Sequence, residues 1–369
     1  MAIVHLDTGA GDPALIEGAS PTAVAAMLRR RSADTLEAAY GFLKRQPDGW
    51  ALLRAEVLCG ARPASALTDA LAAVQRSDGS FPVLTLVSGG GLGFPSMTLE
   101  SLDDDAAAIV GSFEALTIAA DARVLHADWV EPTVRFLESR QQPDGTYRVA
   151  DVSGAPDGCG ISDASAEPET SVEPGVLAEP GASAESGASA GPSLEADVFW
   201  TGMVAGLLGR LPVARPEGLE AAGVWLAERF SPEAVEHDGF SALCAYAHFF
   251  TNVAHDLSDE ALQWCGRALE KGFRSRRLEA VATLRVLLLC DAQAMPGASF
   301  DVGELLGRVL EEQAGDGGYA ELSPGGPATR TTQTFDAMLA IVRLCGALGD
   351  PAEVELSRSD PRRDSTISD

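Results

Sequence analysis

Basic residues are scarce in this chain: 27 Lys and Arg face 54 Asp and Glu, giving a formal net charge of −27. Such an acidic surface repels phosphate backbones and anionic headgroups, which argues against nucleic acid and anionic membrane as main partners. Aromatic side chains are also few, at 6% of residues, although 46% are hydrophobic. The apolar content therefore rests on small and aliphatic residues, which suits packed helices better than sheets. No apolar run approaches the roughly 20 residues that a membrane span requires, so stable membrane insertion is not expected. The first residues, MAIVHLDTGAGDP, lack a basic stretch followed by an apolar run; no signal peptide and a cytoplasmic location are the expectation. The six cysteines (Cys59, Cys159, Cys244, Cys265, Cys290, Cys345) include no CxxC pair, so reduced and mostly buried thiols are expected.

What is present is helical periodicity, in segments of roughly 10–17 residues separated by Pro, Gly or Asp-Gly. Twelve helices are predicted, at 33–43, 51–60, 65–75, 104–120, 128–140, 197–211, 217–229, 239–251, 258–271, 277–291, 301–313 and 331–347. A further helix over about 21–31 falls within an N-terminal extension, 1–32. Residues 33–350 read as one domain. The stretch 151–195, rich in Ala, Ser, Gly, Pro and Glu, interrupts it as a predicted disordered surface insert, and 351–369 reads as a disordered tail.

A short phrase recurs at helix ends. It reads Gln75-Arg-Ser-Asp78-Gly79-Ser-Phe81, then Gln141-Gln-Pro-Asp144-Gly145-Thr-Tyr147, then Gln313-Ala-Gly-Asp316-Gly317-Gly-Tyr319. Gln46-Pro-Asp48-Gly49-Trp50 is a degenerate copy. Asp-Gly supplies a turn in which Gly takes a positive φ. The Gln amide can reach backbone groups at the helix end, and the ring can pack on the preceding helix. Repeated helix pairs imply a solenoid, or a barrel when the array closes.

This phrase resembles the QW motif of the terpenoid cyclase and protein prenyltransferase superfamily, which implies an all-α fold, the (α/α)6 double barrel. Class II cyclases, such as squalene-hopene and copalyl diphosphate synthases, carry Asp-x-Asp-Asp-Thr-Ala at the start of an inner helix. Ser101-Leu102-Asp103-Asp104-Asp105-Ala106 is similar to it, with Ser101 in place of the first Asp and Asp105 in place of Thr. Gln333-Thr334-Phe335-Asp336 likewise resembles the Gln-Thr-Ala-Trp stretch of those enzymes. The resemblance implies protonation-initiated cyclisation of a linear isoprenoid, an isomerase reaction with Asp103 as proton donor. Crowding by Asp104 and Asp105 in a dry pocket would help to keep that donor protonated. Carbocation chemistry further needs aromatic walls, for which the candidates are Phe94, Phe199, Trp200, Tyr246, Phe249, Tyr319 and Phe335.

The implied partner is a hydrophobic isoprenoid, either a meroterpenoid or a prenyl diphosphate, as in secondary metabolism. No cofactor is required, and a diphosphate substrate would bring Mg²⁺. Arg274, Arg276, Arg277 and Arg330 are candidates for an anionic head group. Two alternatives remain beside this reading. One is a non-catalytic barrel in which Asp103–Asp105 merely cap a helix. The other is a zinc-dependent prenyltransferase β-subunit-like protein, for which Asp157, Cys159, His248 and His255 are the available ligand types. A class I synthase would need a second acidic motif, and none is evident. The SGGGLGFP stretch at 88–95 lacks the lysine of a phosphate loop.

Overall fold

The fold was analysed in a computed structural model of the chain. The structure describes residues 21–84, 102–149, 192–237, 240–292, 295–300, 302–320 and 327–347. Phe94, Ser101, Asp157 and Cys159 lie outside these segments, as do nearly all of the 151–195 insert and the whole 351–369 tail. Every regular element among the described residues is a helix, as the sequence predicts. They are α1 (Pro21–Leu43), α2 (Gly49–Leu58), α3 (Ala64–Val74), α4 (Asp104–Asp121), α5 (Val130–Arg140), α6 (Pro192–Leu208), α7 (Pro216–Ala227), α8 (Pro232–His237), α9 (Phe240–Asn252), α10 (Ser258–Arg274), α11 (Ala280–Leu289), α12 (Val302–Glu311) and α13 (Pro327–Ala347). Two predicted helices, 21–31 and 33–43, are the single helix α1, because nothing between them breaks the pattern. The short α8 was not anticipated, and α6 begins at Pro192, inside the predicted insert.

Burial sorts these helices into two kinds. Along α4, α6, α9, α11 and α13 long stretches are buried on every face, from Ala108 to Ala120 on α4 and from Ser241 to Phe250 on α9. A helix apolar all round belongs inside. By contrast α10 buries Ala261, Cys265, Ala268, Leu269 and Gly272, a stripe at i, i+4, i+7, i+8 and i+11. α1 does the same with Leu28, Ser32, Thr35, Ala39 and Phe42. Such stripes mark helices with one face to solvent. The five inner helices contact one another in the order α4–α6–α9–α11–α13; α13 also contacts α2, which buries Ala51, Arg54 and Ala55, and an ion pair from Arg54 on α2 to Asp121 on α4 completes the circuit. The most extensive contact, α6 with α9, relies on small residues. A Cβ at Gly202 would come within 2.7 Å of Ala245, and one at Gly206 within 2.9 Å of the His248 backbone. Only a bare backbone permits that approach.

The repeated phrase is the joint between successive helix pairs. Gln75 Nε2 donates to Gly79 O at 3.1 Å, closing its own turn, and to Trp129 O at 2.9 Å, at the start of α5. Gln141 Nε2 repeats this with Gly145 O at 2.9 Å and Gly218 O on α7 at 2.8 Å. Gln313 Nε2 reaches Gly317 O at 3.0 Å and Thr35 O on α1 at 2.9 Å. The third joint spans 278 residues and ties the C-terminal part of the chain to its first helix. Each aromatic residue of the phrase also donates its backbone N–H to a hydroxyl on an inner helix. Phe81 bonds Ser112 Oγ at 3.1 Å, Tyr147 bonds Thr201 Oγ1 at 3.0 Å and Tyr319 bonds Thr334 Oγ1 at 3.0 Å. The glycines take φ of +89°, +89° and +88°. The degenerate copy behaves differently: Asp48 is the N-cap of α2, its Oδ1 accepting from Trp50 and Ala51 N–H, and Gly49 is helical. With no residue between cap and helix start, there is no room for the turn.

These joints yield two tests. A methyl group at Gly317 would meet Ala38 O at 2.3 Å in a positive-φ backbone, whereas one at Gly315 meets nothing within 4 Å. Gly317→Ala should therefore cost at least about 1–2 kcal/mol in urea unfolding, and Gly315→Ala should be nearly neutral. The turn acids Asp78, Asp144 and Asp316 are all held below the usual carboxylate range. The hydroxyls of Ser80 and Thr146 act on the first two, and Arg330 brings Asp316 to about 2. A depressed carboxyl stabilises above its unfolded pKa and loses that contribution as pH falls through the folded one. Acid unfolding between about pH 4 and 2 should thus be shallower in Asp316→Asn than in the wild type, as followed by circular dichroism.

Candidate active site

The acidic run opens α4, an inner helix. Asp103 is its N-cap, with extended backbone (φ −73°, ψ 170°) and Oδ1 accepting the Ala106 N–H at 2.7 Å. Asp104 and Asp105 form the first turn, and Asp105 pairs with Arg140 on α5 at 3.3 Å. All three side chains are exposed. The expected crowding of three acids in a dry pocket is not what the described residues build. Consecutive first-turn positions point in different directions around the helix, and the free N–H groups there accommodate acids singly.

The aromatic candidates are buried, but in separate groups. Phe199 and Trp200 meet edge to face at 5.3 Å, and Trp200 meets Phe113 at 5.9 Å. Tyr246 stacks on Phe250 at 6.2 Å, and Phe249 packs edge-on against the same ring at 5.2 Å. Tyr319 belongs to the third joint, where its hydroxyl donates to Val309 O at 3.1 Å. Phe335 lies under the Arg54 guanidinium, 3.8 Å from its carbon. Of the head-group arginines, Arg330 holds Asp316 with two bonds of 2.9 and 2.8 Å, and Arg274 pairs with Glu270 and Glu304. Of the residues weighed as zinc ligands, His255 Nδ1 accepts the Leu257 N–H at 3.1 Å. His248 is fully buried, and burial, with Arg210 and Arg285 nearby, pushes its pKa down to about 3. No group of three His, Cys, Asp or Glu side chains with metal-holding geometry occurs among the described residues.

A set of charges, of which only Asp336 falls in a motif noted above, lies inside the ring. Asp121, at the last turn of α4, accepts from Arg54 Nη2 at 2.9 Å through one oxygen and from Arg285 Nη1 at 3.0 Å through the other. Arg285 Nε approaches Asp336 on α13 at 3.8 Å, and Arg343 Nη2 donates to the Asp121 backbone carbonyl at 3.0 Å. Burial raises the Asp336 pKa, against the pull of Arg285 and Arg54. Burial also opposes the charge on Arg285, but Asp121 and Asp336 outweigh it and lift its pKa above the ordinary value. The sequence signal was present: a lone Arg interrupts the apolar run ATLRVLLL and a lone Asp the run TFDAMLAIV. Beside this network the C-terminal halves of α2, α4 and α13 enclose a cavity of about 500 Å³. It sits at the far end of α4 from Asp103, and 18 residues of helix separate the two ends by about 27 Å.

Removing one member of a buried ion network leaves the others uncompensated. Asp121→Asn should destabilise the fold by about 3–5 kcal/mol in denaturant unfolding, more than any exposed pair such as Arg135–Glu131.

No family model matches the chain, and no curated protein matches it. It is similar to a solved type II terpene cyclase, MstE from Scytonema, in a variant complexed with its substrate geranylgeranyl dihydroxybenzoate. The alignment covers 88% of this chain and 99% of that chain, at 12% identity and a TM-score of 0.46.

Proposed function

We propose that this chain is a class II terpene cyclase with the (α/α)6 double-barrel architecture. The observation that carries the reading is the acidic run Asp103–Asp105 at the start of an inner helix, in a chain whose outer helices are joined by three QW-like phrases. A linear isoprenoid, as a meroterpenoid or a prenyl diphosphate, enters with its terminal alkene or epoxide towards Asp103. The Asp103 carboxyl gives its proton to that group, and the cation formed is attacked by the next alkene of the same chain. Ring closure ends when a base takes a proton, so the product is an isomer of the substrate. Substrate in the mouth displaces water from Asp103, which strengthens each electrostatic interaction there. The rings of Phe199, Trp200, Tyr246 and Phe249, together with Phe94 and Tyr319, are the proposed apolar and cation-stabilising surroundings; Phe335, among the candidates, lines the cavity at the far end of α4 instead. The chemistry needs no cofactor, apart from Mg²⁺ if the substrate is a diphosphate.

One observation favours a second reading, a non-catalytic barrel: Asp103 already has a complete role as an exposed helix cap. Asn is as good a cap as Asp but cannot donate a carboxyl proton. Asp103→Asn should keep the wild-type melting temperature within about 1 °C, a shift of under about 1 kcal/mol, and lose cyclised product by at least about 10³-fold. Product is read by mass spectrometry after incubation with geranylgeranyl and farnesyl diphosphates and prenylated aromatics. Unchanged turnover in the variant, or no isomeric product from the wild type with any of these, would leave the capping reading.

A further inference from the structure

The cavity at the C-terminal ends of α2, α4 and α13 has an unusual electrostatic character for this protein. Across the chain acids outnumber bases two to one, and many arginines engage a carboxylate, as in Arg62–Glu56, Arg135–Glu131 and Arg330–Asp316. In this cavity the balance reverses. Arg54, Arg123 and Arg343 line it with a single acid, Asp121, which is already shared between Arg54 and the deeper Arg285. Arg343 makes no direct ion pair among the described residues: it bonds the Asp121 backbone oxygen, with the Asp291 and Asp121 carboxylates farther off. Its pKa lies below the ordinary value, through burial first and the neighbouring Arg123 second. Arg123 stands at the exposed rim; its backbone N–H bonds Ala120 O, while its guanidinium makes no hydrogen bond or ion pair among the described residues. Arg54, on the inner wall, keeps a buried Nε without a hydrogen-bond partner. The rest of the lining is hydrocarbon, including Leu67 and Leu339.

We propose that this cavity is a ligand site, separate from the acidic mouth of α4, for a small amphipathic monoanion: a carboxylate or phosphate head on an aliphatic body. The Arg123 and Arg343 guanidinium groups repel each other, a repulsion that Asp291 and Asp121 offset only in part, and an anion between them removes it while accepting their N–H donors. The apolar walls exclude a bare inorganic ion from the best fit and reward a chain that leaves water. A volume of about 500 Å³ is within the range of small-molecule sites. Such a molecule is either the head of a substrate or an independent effector, and both share the same recognition chemistry.

Isothermal titration of the full chain with octanoate, 1-octanol and acetate tests the site. Octanoate should bind saturably and at least tenfold more tightly than octanol, which lacks the charge, or acetate, which lacks the chain. Arg123→Gly suits its left-handed backbone (φ 59°) and should leave the fold intact. Together with Arg343→Gln it should weaken octanoate at least tenfold while leaving octanol unchanged. Asp103→Asn should bind octanoate as the wild type does. Octanoate competing with an isoprenoid substrate marks the head-group source, and additive binding marks an effector. Octanoate no tighter than octanol or acetate, equal affinity in the double variant, or loss of binding in Asp103→Asn would overturn the proposal. Loss of the cyclase reading alone, with octanoate binding retained, would leave it standing.

Discussion

The structure depends on one side-chain amide used three times. A primary amide has two N–H donors, and in Gln75, Gln141 and Gln313 the same nitrogen serves two carbonyls, one in its own turn and one on the next outer helix. The turn is thereby fixed in shape and in position by a single group. The following aromatic residue extends the joint inward, through its backbone N–H to a hydroxyl on the neighbouring inner helix. Helix pairs that cannot bury both faces alone are in this way held at a repeated spacing. The bond from Gln313 to Thr35 brings the C-terminal joint onto the first helix.

Closing the ring has an electrostatic consequence. Inner helices that are apolar on all sides meet around a common axis, and any charge placed there must find its partner across it. Asp121, Arg285, Asp336 and Arg54 come from four different helices and satisfy one another in that space. The network is a constraint on assembly as much as a source of stability, since each charge is costly until all four helices are in place. It also divides the interior. The N-terminal end of α4 presents acid to solvent, and the C-terminal end presents an excess of arginine beside an apolar cavity.

Much of the fold was legible because helices announce themselves locally. The apolar stripes of α10 and α12 and the turn chemistry of Asp78-Gly79, Asp144-Gly145 and Asp316-Gly317 are written in consecutive residues. The degenerate Asp48-Gly49-Trp50 misleads because the same dipeptide serves equally well as a turn or as an N-cap followed by helix. The acidic run was legible as a helix start, and Asp103 does cap α4. The mutual crowding expected of Asp103, Asp104 and Asp105 was not, since adjacency in sequence is not proximity on a helix surface.

The sequence by itself determined that the chain is helical, where most of its helices lie, and that a Gln-to-aromatic phrase recurs between them. Those properties depend on periodicity and turn preference, which act over a few residues. Only the tertiary structure decided what each Gln bonds beyond its own turn, that Asp121 is shared by two arginines, and that Arg54, Arg123 and Arg343 border one cavity. Arg54 and Arg285 lie far apart in the chain, and no local preference encodes their meeting. It follows from the closure of the ring, in which low-dielectric packing forces distant charges to pair.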